Sequence, residues 1–462
     1  MMKSDCRGSL KYQKLAFLLL SIIALQTLYS ALRKSEEVAP LEPRHRADIF
    51  RPPVYKWINA GAEANRLNDA LSQDKLASMD SHTSYLYNSI FSYYRVNING
   101  VKASTLTGGR KVYASMATMD SRIGSVHLAI RDLLAGSVVP DHLFLFISAE
   151  PYLLDKGISI DRLRQYKNLL YLSKNYPFSI IQTDNIGPHR KLLPLLARKW
   201  DEDCIIATFD DEDKENYHEL SFYLSQLLNY HVASRGSSIV GLKTRRMAVC
   251  DKTFKISPYQ FWGTVYEYGI QEVLMLPTGT GSIMYRPRFF HPIVFDREFI
   301  NITRTADDLM FRLSAILHGV PTIAGCKDKY KNLHRVDRCP TRENIVINYN
   351  YPPSDEGFPR YKYDRNLQRL GGARNKEDVG ARRLTWTRDW IFKDKQVSLF
   401  ADYNDVHLHG NDHSLASAVA FLEGCNIING SFADLVKGFM NVERPECLKN
   451  PGDYSHCHIH CM

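Results

Sequence analysis

Four absences narrow the reading of this chain. Its 59 lysines and arginines are spread among 50 acids, and the formal charge of +9 is concentrated in no basic run or recognisable nucleic-acid module. Nucleic-acid readers gather such charge on one stripe, so no nucleic-acid partner is expected, and the excess suits anionic ligands only in a general way. No GxxxxGK[ST] loop and no kinase motif set is present, which argues against a phosphotransferase. Nor does the sequence repeat itself, or space its cysteines as a zinc site would.

At 462 residues, 44% hydrophobic and 24% charged, the chain has ample material for a globular core. The exception is the N-terminus. Lys3, Arg7, Lys11 and Lys14 precede Leu15 to Leu32, a stretch without a charge that is followed by Arg33 and Lys34. At ~1.5 Å per residue this helix reaches about 27 Å, the thickness of a thin endoplasmic-reticulum or Golgi-like bilayer. A cleavable signal peptide has a shorter apolar core and a small-residue cleavage site, and Leu28-Tyr29-Ser30 matches one poorly. The expectation is therefore a cytoplasmic tail (1–14), a single transmembrane anchor (15–32) and a lumenal remainder, a type II arrangement in the Golgi or endoplasmic reticulum.

Residues 33–109, broken early by Pro40, Pro43, Pro52 and Pro53, read as a stem, although 60–92 has some helical spacing. Of the nine cysteines only Cys6 precedes the anchor, and the remaining eight suit an oxidising compartment with some disulfides, a Cys457–Cys461 tail bridge among the candidates. Asn301-Ile302-Thr303 and Asn429-Gly430-Ser431 are glycosylation acceptors there.

Regular order begins with Lys111 to Thr118, a buried-strand pattern, followed by helical spacing over Val126 to Ala135 and a second strand over Pro140 to Ile147. Strand, helix, strand at that length is a βαβ unit with a parallel pair. A helix over 159–175, a strand over 178–181 and a helix over 191–200 continue the alternation, which implies an α/β fold with one mononucleotide-binding sheet. Its next strand is Cys204-Ile205-Ile206-Ala207-Thr208-Phe209, which runs directly into Asp210-Asp211-Glu212-Asp213. A further helix follows over 216–230, and Gly236 to Phe290 is rich in glycine and aromatics and less regular. The last clear helix spans 306–319, with Thr305 as N-cap and Gly319 and Pro321 as its stop. Beyond that, 346–462 reads as an appended region in which only 414–422 has a clear helical pattern.

Four adjacent acids at the carboxyl end of a buried strand face the crevice where open α/β sheets bind ligands. A hard divalent cation, Mn²⁺ or Mg²⁺, offsets their repulsion and shares its oxygen ligands with phosphates; a solvated acidic turn capping the next helix is the alternative. Four further motifs accompany them. Arg122, in Ser121-Arg122-Ile123-Gly124 after the first strand, suits a phosphate or a base edge. Asn185 to Lys191 is a Gly-Pro turn with three potential cations opening a helix, and Lys191 suits a pyrophosphate. Gly279-Thr280-Gly281 permits close backbone approach. Asp307 and Asp308 open the last helix, where capping explains one and general-base work suits the other.

In this order and spacing, MATMDSRIGSVHLAIRDLL, VVPDHLFLFIS, IGPHRKLLPLL, IIATFDDED, PTGTGSIMYRP and TADDLMFRLSAILHG resemble the GT-A fold, nucleotide-sugar-dependent glycosyltransferases, especially a family-2-like branch known from bacterial capsular polysaccharide synthesis. The resemblance covers about Lys111 to Ala324 and places a glycosyltransferase domain at 110–345. It implies a DxD motif holding Mn²⁺ or Mg²⁺ against the donor diphosphate. Asp211-x-Asp213 and Asp210-x-Glu212 both fit, with the former preferred. It also implies donor contacts at Arg122, Lys191, Asp210 and Asp211, an acceptor-side loop at Gly279, Thr280 and Gly281, and an inverting general base at Asp308 or, failing that, Asp307. His318 is a candidate further metal ligand by looser analogy, against a simple helix-end role. The implied partners are a nucleoside-diphosphate sugar and a glycan, glycoprotein or glycolipid acceptor. The anchor, stem and cysteine-containing tail depart from the bacterial pattern, so the substrate need not be a capsule sugar. A lumenal glycan-binding or scaffolding protein that kept the fold without turnover is the rival reading.

The topology is directly testable. Protease added to sealed microsomes is expected to spare everything after the anchor, and glycosidase treatment to reduce the mass through Asn301, Asn429 or both. Digestion of the C-terminal region without detergent, with no glycosidase-sensitive mass, reverses the orientation.

Overall fold

The computed structural model describes residues 52–76, 95–211, 219–326, 339, 410–424, 428 and 430–444. The expected anchor over 15–32, Glu212, Asp213, Asn429 and the Cys457–Cys461 tail lie outside them. Among the described residues no helix is long and apolar enough to cross a membrane.

The described chain is an α/β fold built on a nine-stranded mixed sheet flanked by helices. The strands are β1 (Ile58–Asn59), β2 (Val112–Ala117), β3 (His142–Ile147), β4 (Phe178–Gln182), β5 (Ile205–Phe209), β6 (Ile239–Gly241), β7 (Gln271–Glu272), β8 (Ile283–Tyr285) and β9 (Thr322–Ala324). They lie in the order β1-β4-β3-β2-β5-β8-β6-β9-β7. The block β4-β3-β2-β5 is parallel throughout, with Ala114 opposite both Leu143 and Ala207. β5 is buried along its whole length, which is why its sequence is an uninterrupted apolar run rather than an alternating one.

The helices are α1 (Ala60–Leu76), α2 (Val126–Ala135), α3 (Lys167–Asn175), α4 (Leu193–Arg198), α5 (Leu220–Ala233), α6 (Arg297–Ile302), α7 (Asp307–Ile316), α8 (Gly410–Gly424) and α9 (Phe432–Glu443). In α2 the residues Val126, Ala129, Ile130, Leu133 and Leu134 are all buried, the spacing of one helix face. The segment expected as one helix over 159–175 is instead a short turn of helix at Ile160–Leu163 followed by α3.

Three regions differ from the sequence-based expectation. The glycine- and aromatic-rich stretch contributes three strands, β6, β7 and β8, to the main sheet. β8 runs antiparallel between β5 and β6, with Ile283 opposite both Thr208 and Gly241. The same stretch forms a separate three-stranded sheet from Thr244–Arg246, Gly263–Thr264 and Met275–Pro277. Strands this short carry too little period-two pattern to be read.

Part of the expected stem belongs to the fold. β1 pairs with β4, Trp57 meets Phe144 and Phe146 edge-on at 5.7 and 5.5 Å, and α1 packs on α3 and β4. Its buried residues include Ala60 and Ala64. Small side chains give α1 little apolar signal in the sequence, yet they allow it to approach closely: a Cβ on Gly61 would come within 2.9 Å of Ser173 Oγ.

Part of the expected appendage belongs to the fold as well. Phe421 of α8 stacks on Phe299 at 5.8 Å, and Asp412 accepts the backbone N–H of Tyr259. α9 is entered through a reciprocal cap in which Ser431 and Asp434 each accept the other's backbone N–H at 3.1 Å. Just past α9, Arg444 reaches Glu272 Oε2 at 3.0 Å while Arg246 holds both carboxylate oxygens at 2.7 and 2.9 Å. Burial alone would raise the Glu272 pKa, but the two arginines outweigh it and hold the carboxyl below its ordinary value.

Removing one member of a buried charge group while leaving the others is costly, at about 3–5 kcal/mol. Glu272→Gln is therefore expected to lower the unfolding free energy of the full chain, read from urea titration at pH 7, by that order. A change within the scatter of an exposed substitution would mean that the triad contributes little.

Candidate functional site

The parallel block creates the site. From β2 the chain crosses to β3 on one side and later returns to place β5 on the other, so the carboxyl ends of β2 and β5 part at a switch point, where ligands bind in open α/β sheets. Thr118 to Arg122 leaves β2 there, and Asp210 and Asp211 leave β5 there, one step beyond the Met116–Phe209 pair. Because β8 is antiparallel to β5, the turn that precedes it, Gly279–Gly281, opens at the same end. The N-terminus of α7 and the 3₁₀ turn Gly187–Lys191 complete the wall.

Lys191 is the centre of this arrangement. Its side chain is 8% exposed, and its Nζ lies 2.9 Å from Asp307 Oδ2, 3.1 Å from Asp210 Oδ1 and 3.4 Å from Asp308 Oδ1. Burial opposes the ammonium charge, but the three carboxylates outweigh burial and raise the lysine pKa well above its ordinary value. Ser115 in β2 donates to the Lys191 carbonyl, so the turn is fixed to the sheet.

Gly279 closes over the cluster. A Cβ there would come within 2.5 Å of Lys191 Nζ and 3.1 Å of Asp210 Oδ2, and its N–H donates to Asp308 Oδ2 at 2.6 Å. That bond bears on the role of Asp308. Helix α7 begins after Ala306, not after the expected Thr305 cap, and no side chain caps it. The Asp308 carboxylate is thus aimed across the crevice at the glycine turn. It keeps 24% of its side chain exposed, against 9% for Asp307. Burial, then the repulsion of Asp307 and Asp210, pushes its pKa up to about 7 despite the attraction of Lys191. A carboxyl poised near neutrality is matched to proton abstraction.

Asp211 has a different setting. It is 5% exposed and paired with Arg122 Nη1 at 2.9 Å; burial raises its pKa, with Arg122 opposing. The sequence favoured Asp211 as the cation ligand, but the geometry favours Asp210, which is 27% exposed beside Lys191. Hard carboxylate oxygens gathered around one ammonium are the donor set that Mg²⁺ or Mn²⁺ takes, so the residues present fit such a cation in kind. Among the described residues no group of three or more His, Cys, Asp or Glu is assembled as a ready metal cage.

Other expectations fall elsewhere. His318 lies past the C-terminal end of α7, eleven residues and about 16 Å from Asp307 at helical rise, and its ring meets His291 at 5.5 Å. Of the three cations expected to open a helix, only Lys191 reaches the acids. His189 is buried edge-on to Phe311 at 5.9 Å, and burial lowers its pKa to about 4, so it is neutral at pH 7. Arg190 pairs with buried Asp155 at 2.7 Å. The residues from Gly187 form the 3₁₀ turn, and helix α4 starts only at Leu193. Thr280 is at the surface, with Lys243 Nζ 3.4 Å from its hydroxyl. Asn301 is exposed in α6.

Asp155 went unread in the sequence. It accepts the N–H groups of Asp120 and Gly157 at 3.2 and 3.0 Å as well as the Arg190 pair, fixing the loop that carries Arg122. Gly157, at φ +84°, is the one local signal of a tight turn there. Tyr285 is the other: burial, then Asp308, raises its pKa, so it borders the cluster as a neutral phenol.

The cysteines are partly as expected. Cys326 and Cys339 form a disulfide, Cys250 is disulfide-bonded, and Cys204 is a free buried thiol, pushed up to about 12 by burial and then by Glu202. The eight cysteines beyond the anchor therefore do not all pair.

The Asp308 setting fixes a pH signature. Its folded-state pKa of about 7 exceeds the ordinary 3.8, so the fold holds this proton more tightly than the unfolded chain does. The stability it contributes is complete below about pH 4 and is lost as pH rises through about 7. Asp308→Asn removes that loss, so the melting temperature of the variant relative to wild type is expected to climb between pH 4 and 8. A difference that stays flat across that range places the proton elsewhere.

Comparison of this chain with protein-family models and with curated proteins finds no match.

Proposed function

We propose that this chain is a glycosyltransferase of the GT-A fold, metal-dependent and inverting. On this reading it moves a sugar from a nucleoside diphosphate to a hydroxyl of a glycan, glycoprotein or glycolipid in the lumen of the Golgi or endoplasmic reticulum. The observation that carries the reading is the convergence of Asp210, Lys191, Gly279 and Asp308 at the switch point of the parallel strands. Order and spacing of motifs drew these residues from four separate segments, and one crevice holds them all.

Each group has a chemical task. Asp210, together with the acids that follow it, would hold Mn²⁺ or Mg²⁺, which when bound neutralises the charge of a departing nucleoside diphosphate. Lys191 supplies a fixed positive charge at the same place, and electrostatic stabilisation of a leaving group is strongest where donors are already held in position. Arg122, locked to Asp211, orients the donor from the β2 side. Asp308 accepts the proton of the acceptor hydroxyl as that oxygen attacks the anomeric carbon from the face opposite the diphosphate. The N–H of Gly279 on its second oxygen fixes the angle of the carboxylate. Asp307, more buried and closer to Lys191, positions the lysine rather than reacting.

The disulfide between Cys326 and Cys339 and the exposed acceptor Asn301 suit a lumenal setting.

A thermal-shift screen of the full chain against UDP, GDP, CMP and their sugars tests the donor site, since a ligand that binds only the folded state raises its melting temperature. A Mn²⁺-dependent shift with one nucleotide class is expected. With that donor, Asp308→Asn is expected to lose roughly 10²–10⁴ in rate while keeping its nucleotide shift, and the wild-type rate is expected to rise with pH through about 7. Asp210→Asn should lose the shift and the rate together. Near-normal turnover in Asp308→Asn removes it as the base, and the lack of any nucleotide shift in wild type sinks the transferase reading in favour of a glycan-binding protein.

A further inference from the structure

Among the described residues, Tyr266 is the only aromatic side chain classed as exposed, at 51%. Exposure of a single apolar side chain is ordinary in a folded protein, so it is the place of Tyr266 beside the glycine turn, not its exposure, that bears on function. The position of Tyr266 follows from strand register. In the three-stranded sheet Gly263 lies opposite Arg246 and Thr264 opposite Arg245, and the Val265 N–H donates to the Thr244 carbonyl at 3.0 Å. Extending that register by one residue sets Tyr266 across from Lys243.

Directly opposed residues of an antiparallel pair share a face, with Cβ atoms ~4.5–5.5 Å apart. Lys243 in turn belongs to the acceptor-side turn. A Cβ on Gly281 would come within 2.5 Å of Lys243 Cβ, its carbonyl accepts the Thr278 N–H at 2.9 Å, and its Nζ lies 3.4 Å from Thr280 Oγ1. Two residues from Gly281, Gly279 donates to Asp308. Lys243, Thr280, Gly279 and Asp308 thus line one path from the surface to the carboxylate proposed as base, and the register sets Tyr266 at its outer end.

Alternation explains why the ring is outside. Val265 turns inward to a small core with Ile270, Met275 and Ala324, so the next side chain must face away. Alternation does not explain why an aromatic stands there, since a polar residue satisfies the same pattern without exposing apolar surface.

We propose that Tyr266 is a stacking platform for the pyranose ring of the acceptor, an inference that rests on the transferase reading. A pyranose presents one face of C–H groups that lies flat on an aromatic ring, while its rim hydroxyls find polar partners. Tyrosine combines such a face with a polar tip and loses little entropy on binding. Held there, the acceptor chain leads its terminal hydroxyl along the glycine turn towards Asp308. Tyr266 is then a positioning residue, and it selects sugars with an unobstructed C–H face.

Saturation-transfer NMR on the full chain with the methyl β-glycosides of glucose, galactose, mannose and xylose tests this without requiring turnover. Transfer to ring protons of at least one glycoside is expected. In Tyr266→Ala that transfer should weaken roughly three- to tenfold, the range of one aromatic contact. Tyr266→Phe should retain it, and both variants should keep the wild-type melting temperature and nucleotide shift. Undiminished transfer in Tyr266→Ala overturns the proposal, as does transfer from no glycoside in wild type. Loss in Tyr266→Phe equal to that in Tyr266→Ala would mean a hydroxyl contact rather than stacking, and a lowered melting temperature in Tyr266→Ala a structural role; either overturns it too. The nucleotide screen fails separately: glycoside binding through Tyr266 with no nucleotide shift would leave the platform standing on a protein that is not a transferase.

Discussion

A single ammonium group holds the functional end of this molecule together. Asp210, Asp307 and Asp308 come from a strand end and a helix start that are almost a hundred residues apart, and all three stand within 3.4 Å of Lys191 Nζ. Carboxylates gathered so closely in a poorly solvated crevice repel strongly, and burying them without a counter-charge costs several kcal/mol per ion. Lys191 supplies that charge from a turn anchored to β2 by Ser115. The glycine at 279 follows from it, because any side chain there would collide with the ammonium. The raised pKa of Asp308 comes from burial first and then from the repulsion of Asp307 and Asp210, which Lys191 at 3.4 Å only partly offsets.

Much of this was legible in the sequence, for reasons that differ by element. The strands β2, β3, β4 and β5 are buried and long enough to form apolar runs, so their order and parallel pairing followed from the alternation with helices. Their connectivity then located the crevice, and the acids after Phe209 marked its floor. Lys191, Asp308 and the glycine turn were found as motifs, but their meeting was not, since contact between β8 and β5 depends on an antiparallel insertion of only three residues. That Lys191 faces Asp210 while Arg122 pairs with Asp211 was equally unreadable. Adjacent residues at a strand end point in opposite directions, and only the position of Arg122 decides which of them is neutralised.

The boundaries moved for different reasons. α1 enters the core through alanines, and hydrophobic periodicity detects large side chains at regular intervals and is blind to small-residue packing. α9 buries an apolar stripe of Phe432, Val436 and Met440, a helical spacing that stood in the sequence beside the Ser431-Phe432-Ala433-Asp434 cap and went unread. The buried contact of Arg444 with Glu272 left no such pattern. His318 suits a metal by its chemistry, and it stands at the far end of the helix that starts with Asp307 and Asp308.

The triad of Glu272, Arg246 and Arg444 sets a clock on biosynthesis. Arg246 and Glu272 are made early and close together, whereas Arg444 follows Glu272 by 172 residues. At ~5–20 residues per second of translation, the emerging chain waits about ten to thirty seconds before the second guanidinium exists. The glycine turn, β8, the start of α7 and β9 are all made within that interval, so the sheet and its crevice are complete in sequence before the clamp at Glu272 is. Completion of the fold is thereby tied to synthesis of residue 444, and a product truncated before it carries an interior acid short of one partner.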